Sequence, residues 1–176
     1  EYQRSFAPLM LLWRGIGRFI VQHPQYAMLF GAVSISNDYE PASRRLIVDY
    51  LSANNIESNL ARHVKPRRPF RSRWAAARDD AEIAALNDIE DVSRMVRQIE
   101  RDSKGVPILL KQYLKLGGRL LAFSADEKFS DALDGLIMVD LRASDPRVLA
   151  RYMGKEGATA FLSHHGIGSD TLRQAS

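Results

Sequence analysis

Residues 26–45, YAMLFGAVSISNDYEPASRR, decide how this chain is read. An apolar run ends abruptly in hydroxyls, an amide and a carboxylate, the pattern of a strand that delivers side chains to a site. The run is too continuous for a half-exposed position and predicts a strand over 26–36, buried on both faces. Side chains alternate along a strand, so Ser34 and Ser36 share one face. Asn37, Asp38 and Tyr39 follow as a loop. Pro41 then opens a helix over 41–51 whose first turn carries Ser43, Arg44 and Arg45. Polar groups crowding the end of a buried strand are where open α/β sheets bind ligands. The plainer alternative is that Ser34 and Ser36 satisfy backbone groups while Asn37-Asp38 makes a turn.

Upstream, Phe6, Leu9, Leu12, Trp13, Ile16 and Ile20 recur at helical spacing and predict a helix over about 5–22, with Arg14, Arg18 and Gln22 along another side. His23-Pro24 stops it, because proline disfavours helical geometry in its predecessor. Gly15 and Gly17 lie inside that helix without a preceding strand, so they make no phosphate loop and instead allow close helix packing. Downstream, Ile83, Leu86, Ile89, Val92, Val96 and Ile99 predict an amphipathic helix over about 79–102. Pro107 starts a helix to Leu116 that Gly117-Gly118 ends. Segments 119–126 and 135–141 read as strands. The short polar link EKFSDALD makes an antiparallel pairing the economical choice. Asp145-Pro146 resembles an N-cap with proline at the first helical position, starting a last helix through Met153 that continues after Gly154 to Ser163.

A hydrophobic fraction of 45% in 176 residues suits one domain with a buried core. The lack of cysteine excludes disulfide scaffolds, thiol nucleophiles and cysteine zinc sites, and fits a reducing compartment. The most apolar window, 6–21, holds Arg14 and Arg18 and falls short of a membrane span. Charge is segregated. Arg62, Lys65, Arg67, Arg68, Arg71, Arg73 and Arg78 lie in an acid-free stretch, followed by Asp79, Asp80, Glu82, Asp88, Glu90, Asp91, Glu100 and Asp102. Such a basic loop suits an acidic carrier protein, a lipid headgroup or nucleic acid, and is equally explained as a solvated loop neutralised by the acidic helix. A nucleic-acid motif is lacking, with only Phe70 and Trp74 interleaved, so no nucleic acid is expected. His165 and Asp170 match the His-x4-Asp spacing of glycerolipid acyltransferases, but too little chain follows to build that site. His164 and His165 lack carboxylates or cysteines at ligand spacing, so no metal is expected.

Three stretches carry a family resemblance: LLWRGIGRFIVQHPQYAMLFGAVSISNDYEPASRRLIVDYL, GVPILLKQYLKLGGRLLAFSADEKFSDALDGLIMVDL and DPRVLARYMGKEGATAFLSHHG. They resemble the C-terminal half of the bacterial ornithine-lipid N-acyltransferases, many of which carry a "hemolysin" label, and which are relatives of GNAT acyltransferases and acyl-homoserine-lactone synthases. The resemblance covers nearly the whole chain and is weakest over 54–104. It implies an α/β fold, the C-terminal half of a GNAT-like domain over 1–166, with a mixed sheet, flanking helices and a basic loop with an inserted helix about 54–104. A flexible tail is expected over 167–176. The family's N-terminal strands are expected upstream of Glu1, which leaves one edge of 26–36 unpaired and predicts poor solubility for this stretch alone.

The resemblance further implies transfer of a 3-hydroxyacyl group from acyl carrier protein to the α-amine of ornithine, without cofactor or metal. The product is a lipid, so the expected place is the cytoplasm, peripheral to the inner face of the membrane. Amide formation from a thioester needs a neutral amine, a donor for the developing oxyanion and a proton for the leaving thiolate. In the relatives the thioester lies where two parallel strands splay, and 26–36 resembles the second of them. Ser34, Ser36 and Tyr39 are then the candidate catalytic groups, with Tyr39 protonating the thiolate. Asn37, Asp38, Ser43, Lys111, Gln112 and Tyr113 are candidates for binding substrate. Lys111-Gln112-Tyr113 is a weak signal in isolation, since all three suit an ordinary helix. Arg62, Lys65, Arg67, Arg68, Arg71 and Arg73 are candidates for docking carrier protein or headgroups. Asp134 and Asp140 flank the apolar stretch 135–139 of the predicted strand; either can bind a cationic side chain, and a turn carboxylate is the commoner explanation. Ornithine, glycine and lysine stay open as acceptors. The rival is a non-enzymatic, membrane-interacting hemolysin-like protein anchored by the first helix.

Overall fold

A computed structural model describes residues 6–70, 86 and 88–168. They fall into two compact units. The first holds helix α1 (Phe6–Gln22), the turn Lys115–Gly117, and the chain from Val139 through helices α6 (Pro146–Met153) and α7 (Lys155–His164). The apolar rhythm of α1 buries Trp13 and Ile20, which meet a core that includes Leu149, Tyr152, Phe161 and Leu162. Gly17 lets α1 approach α6 so closely that a methyl there would lie 2.5 Å from the Tyr152 carbonyl oxygen. Gly157 does the same on α7, where a methyl would lie 2.8 Å from the side chain of Val21. Asp145 caps α6 as its sequence predicts, its carboxylate accepting from Arg147 N at 2.7 Å with Pro146 at the first position. Gly154, at φ 77°, separates the two helices with a backbone that L residues rarely adopt.

The second unit contains residues 30–114 and 118–138. Strands β1 (Met28–Ile35), β2 (Arg119–Asp126) and β3 (Ala132–Asp140) form a three-stranded antiparallel sheet in the order β1-β3-β2. Val33, Ile35, Leu120, Leu133 and Ile137 point from one face into a core. Helix α2 (Pro41–Asn54) adds Leu46, Ile47 and Leu51, helix α4 (Ile89–Ile99) adds Val92 and Val96, and helix α5 (Ile108–Lys115) adds Leu110. Each such side chain contributes roughly 1.5–3 kcal/mol by leaving water. Asp88 fixes the start of α4 by accepting from Glu90 N and Asp91 N. The outer edge of β2 is bridged by Ile56 in parallel and Pro69 antiparallel, with the short helix α3 (Ser58–Ala61) between them. Among the described residues no strand pairs with the outer edge of β1.

The α/β class is as expected, but the details differ from the sequence reading. The named strands pair antiparallel instead of forming a mixed sheet; the parallel contact among the described residues is the single Ile56–Leu120 bridge. Burial along β1 alternates: Val33 and Ile35 are buried, while Met28, Phe30, Ala32 and Ser34 are exposed, Phe30 at 80%. The apolar run imitates a doubly buried strand, yet among the described residues β1 is an edge strand with only one face against helices. Helix α2 runs three residues beyond its predicted end, to Asn54. The predicted helix 79–102 is described from its Asp88 cap and ends at Ile99; of its earlier residues only Leu86 is described. Strand β3 begins at Ala132, which places Asp134 inside the strand instead of in the turn before it. Two residues of the expected tail are described, and 169–176 lie outside the described residues.

Candidate functional site

The open face of the second unit's sheet carries Phe30, Ala32 and Ser34 on β1, Asp134, Leu136 and Met138 on β3, and Ala122 and Ser124 on β2. The pairing Ser124↔Asp134 puts these two side chains on the same side of neighbouring strands. Ser34 completes the row, its hydroxyl donating to Asp134 Oδ1 at 2.5 Å. This short, charge-assisted bond orients the carboxylate. Among the described residues no cation pairs with Asp134. A partly buried carboxylate without a counter-ion, bordered by hydroxyls and apolar surface, can receive an ammonium group.

The Ser36–Tyr39 loop is held by groups distant in sequence. Within it, Ser36 Oγ donates to Asp38 Oδ2 at 2.9 Å and accepts from Asp38 N at 3.2 Å, while Tyr39 N donates to Ser36 O. This is a self-satisfied turn, as the plainer reading of Asn37-Asp38 anticipates. Asn37 is exposed at its tip. From the turn after α4, Lys104 Nζ donates to Asp38 O at 3.0 Å and lies 3.4 Å from the buried carboxylate of Glu100. Glu100 Oε1 accepts from Glu40 N at 2.9 Å, at the start of α2. The Tyr39 hydroxyl donates to Gly105 O at 2.8 Å, and Lys104 Nζ sits 4.6 Å from the Tyr39 ring centre. Buried Ser93 closes the cluster by accepting from Val106 N.

These contacts recast Tyr39. Burial, reinforced by the Glu100 and Asp102 carboxylates, pushes its pKa up to about 12. A phenol that keeps its proton that firmly is a poor source for a thiolate, whose conjugate acid has a pKa of about 8.5. In this arrangement Tyr39 holds the loop in place instead of delivering a proton. The unfolded tyrosine ionises near pH 10, so the raised folded pKa stabilises the protein fully below about pH 10 and is lost as pH rises toward 12. Tyr50 and Tyr152, raised chiefly by burial, act in the same sense. Tyr39→Phe is expected to cost about 1 kcal/mol at neutral pH through the lost hydrogen bond. It should also remove roughly 1 kcal/mol of the alkaline stability loss, a figure reduced for a half-exposed ring. Urea unfolding at neutral and alkaline pH checks this; an unchanged alkaline slope assigns the loss to Tyr50 and Tyr152.

The remaining predicted residues scatter. Lys111 Nζ pairs with Glu90 at 3.2 Å, Gln112 is buried and Tyr113 packs against the core, so the three side chains point different ways from the helix and each has a structural contact or burial of its own. Ser43 is fully buried in the first turn of α2, and its hydroxyl finds no partner among the described residues. Asp140 is gripped by Arg142 through both carboxylate oxygens, a hydrogen-bonded pairing that lowers its pKa and already balances its charge. His165 contacts Pro24 O at 2.8 Å and the Phe161 ring, a packing role.

In the basic loop, Arg62 Nε donates to His63 Nε2 at 3.1 Å. Arg68 pairs with Glu127, and its backbone is stitched to β2 at Ser124 and Ala125. Lys65 and Arg67 are exposed and make no ion pair among the described residues. Arg71 and Arg73 lie outside the described residues. Sequence reasoning underrated Asp134 and missed Ser124, Glu100 and Lys104. The period-two alternation in ALDGLIMVD was the signal for the first. Among the described residues no group of three metal-ligating side chains occurs. No family model, curated protein or solved structure matches the chain.

Proposed function

We propose that this chain supplies the acceptor side of an acyl-carrier-protein-dependent N-acyltransferase of GNAT-like fold, joining a 3-hydroxyacyl group to the α-amine of ornithine or a similar amino acid. The carrying observation is the Ser34–Asp134 pair, 2.5 Å apart on an open sheet face and joining β1, whose outer edge has no strand partner among the described residues, to its neighbour β3. The outer edge of β1, without a strand partner among the described residues, supports the reading, because GNAT-like acyltransferases hold the thioester where a parallel strand splays from such an edge. The order helix, strand, helices, strand, strand supports it as well.

The reacting amine must be neutral to attack, so Asp134 suits the acceptor's other, non-reacting ammonium. Ser34 orients that carboxylate. Asn37, exposed at the turn, can donate its amide N–H to the oxyanion that forms as the C–N bond is made and the C–S bond breaks. The amine's surplus proton leaves to water or a neighbouring base, and the thiolate is reprotonated by a group other than Tyr39. A water-soluble acceptor and an amphiphilic product place the reaction at the inner membrane face.

Lys65 and Arg67 are the docking candidates with free charge, and Arg62 and Arg68 reinforce the field. Arg67→Glu is expected to raise the KM for acyl carrier protein roughly fivefold at low salt, with the difference shrinking as salt is added. An unchanged KM without salt dependence removes the docking role. Thiol release from a long-chain 3-hydroxyacyl carrier protein, with and without ornithine, tests the reaction class. Release without regard to any amino acid, or none from folded full-length protein, overturns it.

A further inference from the structure

We infer that the outward side of α1 docks on an anionic lipid bilayer. Pro8, Leu12, Gly15 and Phe19 recur at helical spacing on the side of α1 turned away from the first unit's core, with Leu11 beside them. Leu11 is 67% exposed, Leu12 60% and Phe19 49%. Tyr26, 53% exposed, stacks on Phe19 with ring centres 5.9 Å apart and carries the apolar surface beyond the helix end. A methyl on Gly15 would meet nothing within 4 Å, so this side is open along the helix. Contiguous exposed apolar surface of this kind marks an interaction site.

Charge selects the partner. Residues 6–22 contain no acid, and the exposed Arg14 and Arg18 line one side of the stripe without an ion pair among the described residues. An apolar stripe bordered by arginines and ending in stacked aromatics is the make-up of a helix lying in a membrane interface, where arginines meet anionic headgroups and the rings sit at headgroup depth. The helix is not long and apolar enough to cross. A second copy of the chain is a worse occupant, because a two-fold pairing of this face brings the same arginines toward each other. The inference stands on exposure and charge alone and is independent of the acyl-transfer reading.

Co-sedimentation with vesicles of phosphatidylcholine, with and without 30% phosphatidylglycerol, tests it. The parent should bind the anionic vesicles preferentially and lose binding with salt. Leu12→Ser with Phe19→Ser should weaken binding by roughly tenfold or more, through lost apolar burial. Arg14→Gln with Arg18→Gln, which alters no packed side chain, should weaken it about tenfold or more through lost headgroup attraction. Equal binding to neutral and anionic vesicles, no binding, or variants indistinguishable from the parent overturns the inference. So does a dimer in sedimentation velocity that the Leu12→Ser, Phe19→Ser variant dissociates, since the face then belongs to a second copy.

Discussion

Gly17→Ala should destabilise the protein by about 2 kcal/mol, although alanine is the better helix former by roughly 1 kcal/mol. The added methyl would lie 2.5 Å from Tyr152 O and 2.8 Å from its carbonyl carbon, and backbone atoms cannot swing aside as a flexible side chain can. Helices α1 and α6 must separate, which loosens the contacts of Trp13 and Ile20. Gly15→Ala, two residues away on the open side, should instead stabilise by up to about 1 kcal/mol. Thermal melts of the two variants beside the parent should therefore move in opposite directions. Equal shifts would mean that α1 does not pack on α6 through Gly17.

Much of the fold was legible because local patterns and tertiary demands agree. The helix α1, the proline stop at Pro24, strand β2 and the Asp145-Pro146 cap appear where the residues place them, although Leu12, counted with the apolar side of α1, is 60% exposed because only the side holding Trp13 and Ile20 meets a core. The turn between β2 and β3 was not legible. Ser130 and Asp131 both take positive φ, at 53°, which tightens the turn and lets β3 begin at Ala132. Strand β1 misled in another way: apolar residues at Met28 and Phe30 look like core and instead face outward. Their exposure depends on which elements cover the sheet, and spacing within one strand carries no information on that.

The site divides along the same line. Ser34 and the 36–39 turn were visible as a polar cluster after an apolar run. The Asp134 carboxylate joins Ser34 across a separation of 100 residues, and the Glu100–Lys104–Gly105 clamp reaches the loop across 60 to 66. Pairings this distant arise from sheet register and helix packing, so candidate residues chosen by proximity in sequence omit them.

Asp134→Asn should raise the KM for ornithine between roughly tenfold and a hundredfold while changing kcat little, because a charged hydrogen bond contributes about 1.5–3 kcal/mol and asparagine keeps the shape. Ser34→Ala should raise it less, by about fivefold, since the carboxylate stays charged but loses its orienting donor. Glycine, which lacks a second ammonium, should be used equally by parent and Asp134→Asn if it is an acceptor at all. The decisive measurement is the initial rate of thiol release from 3-hydroxyacyl carrier protein against ornithine concentration, with parent and Asp134→Asn full-length proteins side by side. Saturable, ornithine-dependent release by the parent, with a KM at least tenfold higher in the variant, is the expected result. Release indifferent to ornithine, or the same KM in both proteins, contradicts the Ser34–Asp134 row as the acceptor site.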